Sequence, residues 1–215
     1  MKYLTLSILV ILCFSTSYSQ VSLRAGMGVD YISSPSLYNY FNQNFSEPGS
    51  QIGSFKAAVN FSGEADYKLS NKYELGLDLT YRLYSYNFSG SLGSYNLSYH
   101  NIMPTLVSYY VIEGDGYEFK FGGGPGIRFL SADESLPGTT TTQTYTSTGI
   151  GFLLRAEGNT KISSELFASV LFDVRYDLNG EPKYNGVNLY NAVDRSNVNF
   201  NSLSIGIGLG LTYYL

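Results

Sequence analysis

The sequence predicts an all-β fold, an eight-stranded antiparallel up-and-down barrel that spans a membrane. Three observations predict it. Eight segments alternate apolar and polar residues, the connections between them alternate between short turns and long loops, and the composition suits lipid better than water. Charged residues are only 14% of the chain, whereas a soluble domain carries about 25%. Aromatics reach 16%, with 21 Tyr and no Trp. Beyond the N-terminal leader no stretch stays apolar for the roughly 18 residues a membrane helix needs, so the spanning elements must be strands.

The chain opens on MKYLTLSILVILCFSTSYSQ: a positive charge at Lys2, an apolar core from Leu4 to Phe14, then the small-x-small triplet Ser17, Tyr18, Ser19. This reads as a secretory signal over residues 1–19, followed by one domain over 20–215. The single cysteine, Cys13, lies inside the apolar core behind Leu12, which argues against a lipid attachment site. Without it the remainder can form neither a disulfide nor a thiolate metal site.

Each segment then separates two faces. The first sets Val21, Leu23, Ala25, Met27, Val29 and Tyr31 against Ser22, Arg24, Gly26, Gly28 and Asp30. The second sets Phe55, Ala57, Val59, Phe61, Ala65 and Tyr67 against Lys56, Asn60, Ser62, Glu64 and Asp66. In the third, Tyr73, Leu75, Leu77, Leu79, Tyr81 and Leu83 oppose Glu74, Gly76, Asp78, Thr80 and Arg82. The fourth, from about Tyr95 to Ile112, is the least regular, because Ile102, Pro104 and Leu106 share a face with His100 and Ser108. The fifth opposes Tyr117, Phe119, Phe121, Ile127 and Phe129 to Glu118, Lys120, Gly122, Gly124, Gly126 and Arg128. The sixth opposes Ile150, Phe152, Leu154 and Ala156 to Gly149, Gly151, Arg155 and Glu157. The seventh opposes Leu166, Ala168, Val170, Phe172, Val174 and Tyr176 to Ser169, Asp173, Arg175 and Asp177. The eighth, SLSIGIGLGLTYYL, is apolar at every second residue from Leu203 and small or polar between.

Short turns join strands two to three, four to five and six to seven; long connections, at roughly 33–54, 87–95, 131–146 and 179–199, join the others. A soluble barrel with a lined cavity would also show two faces. Two observations weigh against it. Gly interrupts the polar face on several strands (Gly26, Gly76, Gly122, Gly151, Gly206), whereas a water-facing strand favours Thr, Lys and Glu. The aromatics of the apolar face also gather in two girdles, as expected where rings meet lipid headgroups. Tyr67, Tyr73, Tyr109, Tyr117 and Tyr213 fall near the short-turn end, and Tyr31, Phe55, Tyr81, Phe129 and Tyr176 near the long-loop end.

The pattern, the GGGPGIRF stretch (122–129), the Pro-containing NIMPTLVSYY (101–110) and the last strand resemble the small outer-membrane β-barrel family of Gram-negative bacteria, of the OmpX and OmpA type and the PorT-like group. Members usually end on an aromatic residue; here Tyr213 and Tyr214 precede Leu215. The resemblance implies a place in the outer membrane with both termini in the periplasm. It implies contact with outer-membrane lipid and lipopolysaccharide, and an envelope assembly complex as an alternative role.

The polar face points to a bore filled by ion pairs, because eight strands leave room only for side chains. Stacked by position along the strands, Arg24 and Lys120 meet Glu64, Asp66, Glu74 and Glu118 at the short-turn end. Arg155 meets Asp78, Glu157 and Asp173 at mid-height, and Lys56, Arg82, Arg128 and Arg175 meet Asp30 and Asp177 near the long loops. A narrow ion path through the same residues is the sharper alternative. An enzyme would have to use the one histidine, with Ser98 and His100 on one face and a carboxylate across the bore orienting the imidazole; but Asn101 and Ile102 follow His100 where lipid A deacylases carry Ser-Asn after x. The expectation is no enzyme. The glycine motifs lack the following helix or the Lys-Ser/Thr of a phosphate loop, so no cofactor is expected. Thirteen basic against 17 acidic side chains without a basic cluster argues against nucleic acid. A monomer is expected, with the Tyr- and Asn-rich long loops offering a surface to an extracellular or envelope protein.

Overall fold

The computed structural model describes residues 20–45, 55–90, 93–139 and 141–215. Residues 1–19, read above as the export signal, lie outside them, as does the side chain of Phe55. In chain order the elements are β1 (Val21–Ser33), α1 (Pro35–Asn44), β2 (Phe55–Ser70), β3 (Tyr73–Gly90), β4 (Gly93–Gly114), β5 (Tyr117–Ser135), β6 (Thr142–Lys161) and β7 (Leu166–Leu178). Four two-residue strands follow, β8 (Lys183–Tyr184), β9 (Val187–Asn188), β10 (Tyr190–Asn191) and β11 (Ser196–Asn197), and then the long β12 (Ser202–Tyr214).

β1 to β7 and β12 form one antiparallel ring of eight strands. It closes where β1 pairs with β12, from Ser22 opposite Tyr214 to Ser33 opposite Leu203. Closure leaves no open edge in the spanning region, where each unpaired backbone group would cost several kcal/mol in hydrocarbon. The outward row of β12 illustrates the lipid face: Ile207 and Leu209 are 63% and 64% exposed, while Ser204 and Thr212 are buried inside. At one end the strands join through tight turns, such as Asp115-Gly116, where Gly116 takes φ +79° at no steric cost.

The other end departs from expectation. Connections 87–95 and 131–146 are mostly strand, because β3 runs to Gly90, β4 begins at Gly93, β5 runs to Ser135 and β6 begins at Thr142. In these extensions the period of two continues but its phase inverts. Tyr84, Tyr95, Leu97, Tyr99, Leu130 and Ala132 point inward and are buried, while Ser85, Asn87 and Asn96 point outward. The adjacent apolar pairs Tyr31-Ile32, Leu83-Tyr84 and Phe129-Leu130 mark the crossing. Below it the outside is hydrocarbon and the inside is ionic; above it the outside is water and the inside is an apolar core.

That core is supplied by α1 and by the segment after β7. Pro35 opens the helix at a position where its missing N–H is harmless. Leu37, Tyr38, Tyr40 and Phe41 form the buried face. Phe41 stacks on Tyr86 (4.9 Å between centroids) and Phe45 on Tyr95 (4.0 Å), while Leu189, Val198 and Phe200 belong to the same buried cluster. The result is an aromatic cap seated in the mouth of the barrel.

Glycine in the bore makes room for charge on the neighbouring strand. Gly206 faces Asp30 and Gly76 faces Asp66 across the ladder, and a Cβ on either would lie 2.1 Å from an oxygen of that carboxylate. Gly206→Val is therefore expected to dislodge Asp30 from Arg82 and destabilise the barrel by about 2 kcal/mol. Gly63→Ala, whose new Cβ would lie 3.9 Å from its nearest neighbour, is expected to be close to neutral. Reversible urea unfolding from lipid vesicles measures both; equal losses would refute the spacing argument.

Candidate functional site

The bore and its cap form the candidate site. Ladder register builds its middle directly. Arg24 pairs across with Glu64, Glu64 with Asp78, and Arg155 with Asp173, so these inward residues lie side by side around the wall. Arg155 grips Asp173 with two parallel bonds (Nε to Oδ1 2.7 Å, Nη2 to Oδ2 2.8 Å) while its Nη1 reaches Glu64 (2.5 Å) and Asp78 (3.1 Å). Arg24 contacts Glu64 (2.7 Å), Glu157 (3.3 Å) and Asp78 (3.5 Å), and Arg175 contacts Asp173 (2.8 Å). Three arginines thus share four carboxylates in one cluster.

Two smaller clusters flank it. Toward the turns, Lys120 lies among Glu74 (2.6 Å), Asp66 (3.1 Å) and Glu118 (3.5 Å), with the rings of Tyr109 and Tyr214 each 5.8 Å away. Toward the cap, Arg82 bridges Asp30 (2.7 Å) and Asp177 (3.0 Å), and Arg128 binds Asp177 (2.5 Å). Arg82 and Arg128 are essentially sealed, at 1% and 0% exposure. A void beside Asp30, Arg155 and Asp173 measures about 10 Å³, at the lower limit for one water.

The grouping differs from the stacking read off strand positions. Arg24, expected with Lys120, belongs to the middle cluster, and so does Arg175, expected near the long loops. Lys56 is half-buried and makes no ion pair among the described residues. Strands of a barrel tilt and stagger, so equal counts from a turn do not give equal height. Tyr109 is also corrected: it is fully buried and donates to Glu64 (2.8 Å), leaving Tyr110 outward. The parity of Met103, Thr105 and Val107, all buried, carried that signal. Tyr31, Tyr67, Tyr73, Tyr81, Tyr117, Phe129, Tyr176 and Tyr213 all face outward.

His100 lies on the outer wall with its ring 5.8 Å from that of Tyr81. The carboxylates of the bore are therefore behind the sheet, and the imagined triad across the bore does not assemble. Among the described residues no group of His, Cys, Asp and Glu could hold a metal ion.

The cap holds one carboxylate that sequence reasoning missed. Glu134 is 2% exposed and accepts hydrogen bonds from Tyr40 (2.7 Å) and Tyr95 (2.8 Å), both to Oε1. Burial raises its pKa above the ordinary carboxylate value, and the two tyrosine donors offset this only in part. Burial pushes both tyrosines upward as well, so they remain donors. Because the folded cap holds the Glu134 proton more tightly than the unfolded chain does, its stability is greatest below the ordinary carboxylate pKa and falls as pH rises through the raised value. Near-UV circular dichroism of the tyrosines under denaturant is expected to show this loss, and Glu134→Gln to remove it. A wild-type cap that strengthens with rising pH would contradict the assignment.

No protein-family model matches the chain, and no curated protein matches it. Solved structures do. Neisserial surface protein A (NspA) superposes with a TM-score of 0.53 at 14% identity, covering 91% of this chain and 97% of that one. The outer membrane protein OprG from Pseudomonas aeruginosa gives 0.50 at 15% identity over 91% and 95%. A major outer membrane protein from Thermus thermophilus gives 0.50 at 14% over 91% and 99%. With its closed ring of eight antiparallel strands, the chain has the fold of the small outer-membrane β-barrels of Gram-negative bacteria.

Proposed function

We propose that this protein is an integral outer-membrane barrel that neither conducts nor catalyses, and that acts through its cap as a surface-interaction and membrane-stabilising element. The observation that carries the reading is the double closure of the bore, by three ion-pair clusters in the spanning region and by an aromatic core above them. Buried charges held by several partners are poor ion-binding sites for a permeant ion, because displacing any of them exposes an uncompensated charge. Among the described residues the start of β1 and the end of β12 lie at the turn end, opposite the cap, and the short-turn, long-loop asymmetry typical of outer-membrane barrels supports a periplasmic place for that end. The outward apolar belt and girdles meet outer-membrane lipid and lipopolysaccharide, and the closed ring needs no second copy.

The purified protein in planar lipid bilayers is expected to give no unitary current steps. Steady, reproducible conductance would overturn the closed-bore reading.

A further inference from the structure

A cleft of about 610 Å³ opens on one side of the cap, between α1 and the segment that returns from β11 to β12. Its floor is Tyr176 and Leu203, a cross-strand pair whose outward side chains belong to the upper edge of the lipid face. Among the described residues its walls are mainly amides and hydroxyls with one carboxylate, Asp194, and no lysine or arginine. A basic lining would suit phosphate; this lining repels it.

The amides are oriented. Asn199 Oδ1 accepts the backbone N–H of Asn201 (3.2 Å), and Asn201 Oδ1 accepts that of Gly180 (2.9 Å). Each oxygen is thereby committed, which settles the amide orientation and leaves both NH₂ groups as donors without an intramolecular acceptor among the described residues. Asn39, exposed on α1, adds a third uncommitted amide among the described residues. Asp194 is held in place by Gln43 (2.8 Å) and Asn191 (3.3 Å), each to a separate oxygen, and keeps acceptor capacity on both. Fixed donors, a fixed bidentate acceptor and an exposed aromatic ring match a hydroxyl-rich ring whose C–H face can lie on tyrosine.

The geometry points to a binding site for a neutral hexopyranose at the level of the outer-leaflet headgroups. This rests on the reading above that the cap faces outward. The sugar can be the headgroup of a lipid in the same leaflet, reached sideways, or a soluble saccharide.

The test uses the full barrel in phosphatidylcholine nanodiscs, with the side-chain amide signals of Asn39, Asn199 and Asn201 followed by NMR. The probes are methyl hexopyranosides in solution, a galactosyl diacylglycerol incorporated in the disc, and inorganic phosphate. Two variants accompany it. Asn39→Trp fills the cleft from an exposed helix position, and Asn199→Asp keeps the oxygen that accepts Asn201 N–H but removes the NH₂. A saccharide response that Asn39→Trp abolishes and Asn199→Asp weakens about tenfold is expected. Response to the free glycosides assigns a soluble ligand; response to the glycolipid alone assigns a lipid-borne one. No response to either sugar form, a response to phosphate instead, or one that persists in Asn39→Trp overturns the site. Bilayer recordings are independent of this titration: a non-conducting protein without a sugar response loses this inference alone, and a conducting one loses the closed bore whatever the titration shows.

Discussion

Replacing Arg155 by Met is expected to destabilise the barrel by about 3–5 kcal/mol. Arg155 is the only side chain in contact with Glu64, Asp78 and Asp173 together among the described residues. Its removal leaves Arg24 and Arg175 to compensate four carboxylates, including Glu157, in a space without room for a hydrated counter-ion. The cost comes from the stranded carboxylates rather than from the net worth of the ion pairs, so it should shrink when they are neutralised. Arg155→Met combined with Asp173→Asn is expected to recover part of the loss. Arg155→Lys keeps the charge but cannot reproduce the two parallel bonds to Asp173, and should fall between wild type and Met. Urea titration from vesicles, read by the migration of unboiled samples, orders the variants. If Met and Lys prove indistinguishable from wild type, the cluster does not organise the bore.

The second large effect belongs to the cap. Phe41 is 1% exposed, stacked on Tyr86 and set edge-on to Tyr95 at 5.6 Å. Phe41→Ala is expected to cost about 3–5 kcal/mol, as for other buried aromatic truncations. None of the ring's ladder bonds runs through α1, so the loss should be local: faster amide exchange in α1 and in 179–201, with the heat-dependent gel shift of the ring retained. Conductance should stay absent, because the ion-pair clusters lie below the cap. Simultaneous melting of ring and cap would show instead that the two form one cooperative unit.

Much of this protein was legible in its sequence because hydrocarbon imposes a strong preference. Outward residues of a spanning strand are overwhelmingly apolar, so Leu75, Leu77 and Leu79 on β3, or Ile205, Ile207 and Leu209 on β12, declare their face without knowledge of any neighbour. The extensions above the membrane were misread for a related reason. At Leu83-Tyr84 and Phe129-Leu130 the outer solvent changes from lipid to water, the apolar parity switches, and a strand that continues unbroken looks like the start of a loop. The adjacent apolar pair is the signature to look for.

The charged residues show the limit. That Arg24, Arg155 and Arg175 face inward follows from parity along one strand, a local property that sequence determines by itself, together with the number of strands and their lipid face. Which carboxylates they meet follows from tilt and stagger around the closed ring, and no single strand carries that information. The same holds for the cap, where Phe41, Tyr95, Glu134 and Phe200 come from distant stretches and meet only because the ring brings its long connections to one mouth. Tertiary structure alone therefore decided how the bore is plugged and what covers it, since both depend on ring closure rather than on periodicity.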